Sequence, residues 1–165
     1  MTSEIAGITR ANEGIQGITW NILGQIYVPK NRTEHSFSWH ATFPVGTFVP
    51  PHIHPDQDEY LYILEGRLDF FLDGAEEFAT AGDTVRLPMG KPHGIFNKTQ
   101  QTAKTLFWVS PTRRLYDLFW AIHNMKNQNP DDVVWANTVS YGQAVAAVET
   151  GPTVTSEPPV KAYAR

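Results

Sequence analysis

Gly46-Thr-Phe-Val-Pro-Pro-His52-Ile-His54-Pro-Asp-Gln-Asp-Glu59-Tyr-Leu-Tyr-Ile-Leu-Glu-Gly66 sets two histidines and a carboxylate between two glycines. Side chains at i and i+2 of a strand share a face and lie about 6.6 Å apart, so the imidazoles of His52 and His54 can converge on one ion. Pro55 to Asp58 is turn material, which predicts that the chain reverses and returns Glu59 on the neighbouring strand of the same hairpin. A second stretch, Gly82-Asp-Thr-Val-Arg-Leu-Pro88-Met-Gly90-Lys-Pro-His93-Gly-Ile-Phe-Asn97, adds a third histidine. His93 is expected from a separate hairpin, whose corner at Pro88 to Pro92 carries the proline and glycine punctuation that aims the following strand. His52, His54, Glu59 and His93 are thus a candidate set of four metal ligands.

The two stretches resemble the paired signature motifs of the cupin superfamily. That pattern reads Gly, five residues, His-x-His, three or four residues, Glu, six residues, Gly, and later Gly, five residues, Pro-x-Gly, two residues, His, three residues, Asn. Gly46, His52, His54, Glu59 and Gly66 match the first part, and Gly82, Pro88, Gly90, His93 and Asn97 the second. Ten such positions coincide by chance on the order of 10⁻¹³ times per placement at ordinary residue usage. Within the superfamily, Phe48 to Glu59, the Lys91-Pro92-His93 corner, the Ser110-Pro111-Thr112 segment and the region ending at Tyr141-Gly142 resemble the single-domain, quercetin-dioxygenase-like group. The resemblance implies a metal held by His52, His54, Glu59 and His93, with Glu59 also the base.

Bulk properties agree with one domain. The chain has 165 residues, 41% hydrophobic and 18% charged, enough for one core. Net charge is −4 and the longest basic run is Arg113-Arg114, which excludes nucleic acid and anionic membranes as favoured partners. Cysteine is absent, so a metal must be held by nitrogen and oxygen, and the composition fits a reducing compartment. Residues 1–10 lack a basic start followed by an apolar stretch, and no 18 apolar residues run together. A cytoplasmic location is the expectation.

Short runs rich in β-branched and aromatic residues fill the chain from about residue 17 to 110: Ile18 to Val28, Phe37 to Phe43, Tyr60 to Leu64, Leu68 to Leu72, Thr84 to Leu87, Ile95 to Asn97 and Thr105 to Val109. Asp73-Gly74 between Leu68–Leu72 and Glu76–Phe78 is a hairpin signal. The fold class is all-β, a jelly-roll barrel or cupin-type double-stranded β-helix, with two C-terminal helices. Leu115, Leu118, Phe119, Ile122 and Met125 recur at helical spacing, which predicts a helix over about 112–126. Asn129-Pro130-Asp131-Asp132 reads as the start of a second helix that ends near Tyr141-Gly142. The chain divides into an extension with the first strands (1–30), the barrel (31–110), the helices (111–145) and an extended or disordered tail (146–165).

Each remaining candidate has an ordinary structural reading. Gly46, Gly66, Gly82 and Gly90 shape turns. Asn97 reads as structural, His40 on the Ser38–Thr42 face reads as an ordinary strand histidine, the alternative being a group of the pocket or around the ligands, and His35 and His123 read as surface residues near element ends. Asp56, Gln57 and Asp58 read as a solvated turn, with Gln57 close enough to lean over the barrel mouth. Phe43, Phe48, Tyr62, Phe70, Phe96, Phe107, Trp108 and Trp120 read mainly as core, the alternative being a pocket for a flat apolar molecule. Counting pleats from Glu59 and His93 places Leu61, Ile63 and Ile95 around the ion.

Three neutral imidazoles and one carboxylate leave a divalent ion with net charge near +1 and two open positions in an octahedral arrangement. Such ligands accept one iron, manganese, nickel, cobalt, copper or zinc ion per chain. The leading expectation is a mononuclear dioxygenase taking O₂ and an enolic, phenolic or catechol-like small molecule, with Glu59 as base. The alternatives are a non-redox isomerase, cyclase or decarboxylase using the same ion, and a small-molecule-binding domain without catalysis. A homodimer is expected.

Overall fold

In the computed structural model, residues 6–129 are described, and they form ten strands and one α-helix. The strands are β1 (Trp20–Ile22), β2 (Gln25–Arg32), β3 (Phe37–Phe43), β4 (Phe48–His52), β5 (Asp58–Glu65), β6 (Arg67–Leu72), β7 (Ala75–Thr80), β8 (Thr84–Leu87), β9 (His93–Phe96) and β10 (Ala103–Ser110); α1 is Leu115–His123. A six-stranded sheet runs β1-β2-β3-β10-β5-β8 and a four-stranded sheet runs β4-β9-β6-β7. Every neighbouring pair is antiparallel. The protein is all-β, a jelly roll of two sheets facing each other across one core.

Alternation along the strands explains this arrangement. In β3, Phe37, Trp39, Ala41 and Phe43 are buried while Ser38, His40 and Thr42 are half exposed, and β10 repeats the pattern with Ala103, Thr105, Phe107 and Val109 inward. A one-residue slip would turn all of these outward, which fixes the register. The inward aromatic rings stack along the sheet: Trp39 lies on Phe107 at 5.1 Å between centroids and on Phe37 at 4.9 Å. Burying side chains of this size contributes about 1.5–3 kcal/mol each.

α1 begins later and ends earlier than the helix expected over 112–126. Thr112 is not its cap, because Thr112 Oγ1 donates instead to the Thr33 carbonyl. The helix turns Leu115, Leu118, Phe119 and Ile122 inward, and Phe119 meets the edges of Trp20, Tyr27 and Trp39 at 5.1–5.6 Å. The second helix expected after Asn129 and the tail over 146–165 lie outside the described residues. No described helix is long and apolar enough to cross a membrane.

Three local expectations change. The run Ile18 to Val28 is two strands, not one, divided by Leu23-Gly24 with φ of 53° and 82°. Asn21 Oδ1 accepts the Gly24 N–H at 3.1 Å and closes this turn, a role that the Leu-Gly dipeptide does not announce. Second, β4 and β5 do not form a hairpin: β4 pairs with β9 and β5 pairs with β10 and β8, so residues 53–57 cross between the sheets. Third, Pro88 to Pro92 likewise crosses between sheets rather than closing a hairpin, because β8 pairs with β5 and β9 with β4 and β6. Asp73-Gly74 does close the tight β6–β7 hairpin.

Candidate metal centre

The crossings bring ligands from both sheets to one point. His52 ends β4 and faces His93, its Cα partner at the start of β9. His54 lies two residues beyond the end of β4, so its approach to His52 comes from the crossing loop rather than from a shared strand face. Glu59 points in from β5 of the opposite sheet. One nitrogen or oxygen from each of the four lies within 4.8 Å of all the others, and all four residues are buried. The expected ligand set is therefore assembled in space, although by sheet crossing and not by the hairpin expected.

Hydrogen bonding determines which ring nitrogen of each histidine is free. His52 Nδ1 lies 2.7 Å from the Pro50 carbonyl and His93 Nδ1 lies 3.1 Å from the Lys91 carbonyl. A carbonyl only accepts, so both Nδ1 atoms carry the proton and both Nε2 atoms present a lone pair. His54 Nδ1 lies 2.8 Å from Gln57 Oε1. The amide orientation of Gln57 is fixed because its Nε2 donates to two carbonyls, those of Pro111 at 2.8 Å and Thr112 at 2.9 Å. His54 Nε2 is thus also unprotonated. His52 Nε2 and His54 Nε2 then stand 2.9 Å apart, lone pair toward lone pair.

That contact is repulsive unless a cation lies between. Two cis ligands about 2.1 Å from an ion are separated by roughly 3.0 Å, close to the observed spacing. His93 Nε2 and His54 Nε2 lie 3.3 Å and 3.5 Å from Glu59 Oε2, and His93 Nε2 is buried without a hydrogen-bond partner. A proton does not readily fill the gap. Burial, then the neighbouring His93, holds His52 down to about 3, against a bond to Pro50 that acts upward. Burial, then His52, holds His54 down to about 3, with Glu59 and Gln57 opposing. Both rings stay neutral at physiological pH, as metal ligation requires. Among the described residues Glu59 forms ion pairs only with these histidines, so its buried carboxylate carries no compensating Lys or Arg. The donor set fits a divalent transition-metal ion.

Residues 39–109 match the family described as Cupin domain. Over those residues the chain is a cupin domain. Its curated relatives include a tetracenomycin polyketide synthase protein, TcmJ, of Streptomyces glaucescens, 32% identical over 46% of this chain and 50% of the relative. A quercetin 2,3-dioxygenase of Bacillus subtilis is 33% identical over 34% of this chain and 17% of that protein. The chain thus spans half or less of the length of these relatives. Among solved structures, KdgF from Halomonas sp. superposes with a TM-score of 0.60 over 68% of this chain and 99% of that one, at 18% identity. An RmlC-like cupin from Shewanella frigidimarina gives 0.57 over 62% and 91%, at 23% identity. At these identities the structural likeness establishes the fold.

In this protein a cavity of about 70 Å³, open to solvent, reaches the ligands. His52, His54 and Glu59 stand on one side, and Tyr27, Trp39 and Phe107 on the aromatic wall. Leu115, Leu118, Phe119 and Ile122 of α1 close the other side, together with the β1–β2 turn at Leu23. Ile95 lines the cavity, as pleat counting expects, whereas Leu61 and Ile63 are buried in the core. Of the eight aromatics weighed from the sequence, Phe107 alone lines the cavity.

Two residues were missed. Tyr27 sits inside the long first run, where nothing distinguishes it from core; its hydroxyl donates to Gln25 Oε1 at 2.8 Å, while burial and Glu59 push its pKa well above the ordinary range. Gln57 is not part of a solvated turn: it is fully buried behind His54. Its position between the His54-Pro55 pair and Glu59 was the available signal. Asn97 is structural as expected, its amide donating to the carbonyls of Phe43 and Gln101 at 2.9 and 2.7 Å. His40 lies half exposed on the outer face of β3, His35 is exposed, and His123 Nδ1 accepts the Asn21 N–H at 3.0 Å.

Proposed function

We propose that the protein is a mononuclear metal-dependent dioxygenase acting on a flat enolic, phenolic or catechol-like small molecule. The observation that carries this reading is the contrast within one cavity: a compact three-histidine, one-carboxylate cluster opens onto a wall made almost wholly of aromatic and aliphatic side chains. Among the described residues no Lys or Arg lines that cavity, which disfavours a phosphorylated or polyanionic substrate. The quercetin 2,3-dioxygenase relative supports the same substrate class.

His52 Nε2, His54 Nε2, His93 Nε2 and Glu59 would hold the ion. When bound, a redox-capable divalent ion supplies positive charge for a developing enolate and electronic access to dioxygen. Glu59 accepts the proton of the substrate hydroxyl: the O–H bond breaks, the carboxylate becomes a carboxylic acid, and the electron pair remains on the substrate oxygen. The aromatic wall and α1 present apolar surface to the resulting anion, and the lower local polarity strengthens its attraction to nearby positive charge. Tyr27, pinned by Gln25 and held neutral, offers its hydroxyl oxygen as a hydrogen-bond acceptor beside Glu59. Both atoms of O₂ enter the organic product, so no external reductant is needed.

The test is oxygen uptake by metal-loaded protein with quercetin and simple catechols as probes. Stoichiometric uptake that Glu59→Gln lowers by about 10²-fold or more, with metal content unchanged, is the expected result. Conversion that proceeds equally without oxygen would instead support a non-redox cyclase or isomerase. Glu59→Gln turning over at the wild-type rate with its metal in place would eliminate the proton transfer.

A further inference from the structure

The strongest feature not used by that chemistry is the buried amide of Gln57. We propose that Gln57 is a positioning residue that couples the start of α1 to the metal ligand His54, an inference that rests on the metal-site reading.

On one side, Gln57 Oε1 accepts the His54 Nδ1 proton at 2.8 Å and thereby sets both the tautomer and the tilt of the ring. On the other, Gln57 Nε2 donates to the carbonyls of Pro111 and Thr112 at 2.8 and 2.9 Å. The Thr112 carbonyl also accepts the Leu115 N–H at 3.4 Å, and Leu115 opens α1 and lines the cavity. A continuous hydrogen-bonded path therefore runs from the metal-facing imidazole to the first residue of the helix that forms the substrate wall.

The end of the path at α1 is held. Thr112 donates its N–H to the Glu34 carbonyl at 3.2 Å, Ser110 Oγ donates to the His35 carbonyl at 3.0 Å, and Arg113 pairs with Asp56 at 3.1 Å across the same junction. With little slack in the 110–112 segment, the ring position at His54 and the start of α1 are set together through Gln57, so a ligand that displaces one biases the other. Coupling of this kind is reciprocal.

The experiment uses the full chain stripped of metal and titrated with Co²⁺, read by its visible absorption and by amide exchange of residues 112–124 with and without the ion. Wild type is expected to bind one Co²⁺ and to slow exchange in α1 on loading. Gln57→Leu removes both sides of the link; it should bind Co²⁺ about 10- to 100-fold more weakly, with a shifted absorption band and no metal-dependent change in α1. Gln57→Glu keeps the acceptor toward His54 but gives up donation to at least one of the two carbonyls. It should retain most of the affinity while losing the response of α1, and it serves where Gln57→Leu fails to fold. A brace that is merely structural would raise exchange equally with and without metal and leave the Co²⁺ affinity and spectrum at wild-type values, which would overturn the proposal. Absence of Co²⁺ binding by wild type would overturn the metal-site reading, and this proposal with it.

Discussion

At the scale of single residues, the centre depends on three imidazoles whose outer nitrogens are each occupied by a fixed acceptor: Pro50 O, Gln57 Oε1 and Lys91 O. Each acceptor sets a tautomer, and the three tautomers leave the inner nitrogens without protons. The folded chain also refuses protons there, with His52 and His54 at about 3 against an ordinary 6.5. Above pH 6.5 both rings are neutral whether the chain is folded or not, and they contribute no difference in stability. As pH falls below 6.5 the unfolded chain takes up protons that the folded chain does not, so the metal-free protein loses stability progressively toward pH 3. Its urea midpoint should drop between pH 7 and 5, and paired His52→Asn and His54→Gln substitutions should flatten that drop. A midpoint independent of pH over that interval in the unsubstituted protein would contradict the burial of these rings in neutral form.

At the scale of elements, the sequence was most informative where alternation was regular. Phe37–Phe43 and Thr84–Leu87 were read with their observed bounds, and Asp73-Gly74 marked its hairpin. It was least informative about partners. Pro55 to Asp58 and Pro88 to Pro92 have the composition of tight turns, and local composition does not distinguish a turn that pairs neighbouring strands from one that crosses between sheets. The ligand set was legible nonetheless, because either connection brings His52, His54, Glu59 and His93 together. Gln57 was not, because an amide in a Pro/Asp-rich turn looks solvated until residues 110–112, more than fifty positions away, are folded against it. Gly66, which joins β5 to β6, illustrates a motif residue with a purely conformational role. Its φ is +79°, and a Cβ there would lie 3.0 Å from the Thr102 carbonyl oxygen and 3.1 Å from Ala103 Cα. Gly66→Ala should cost roughly 2 kcal/mol in urea unfolding while leaving the metal affinity of the folded protein unchanged. A neutral effect on stability would mean that the junction relaxes freely.

At the scale of the molecule, two sheets and one helix each contribute a different part of the site. The four-stranded sheet supplies His52 and His93, the six-stranded sheet supplies Glu59 and the aromatic wall, and α1 closes the cavity with an apolar face. The all-β class, the jelly roll and the superfamily followed from motifs that cover about a third of the chain. The enclosure of the cavity did not, because it depends on how α1 packs over Trp20, Tyr27 and Trp39, and helical periodicity gives an apolar face without saying what it covers. Everything proposed about chemistry returns to one point, the convergence of unprotonated nitrogens around a buried carboxylate. The most direct measurement is metal content of the protein purified from its native host, by plasma mass spectrometry, with electron paramagnetic resonance on the same sample and His52→Ala as the control. About one redox-capable transition-metal ion per chain, lost in His52→Ala, is the predicted result; protein that is folded, gently purified and free of any such ion would contradict the central claim.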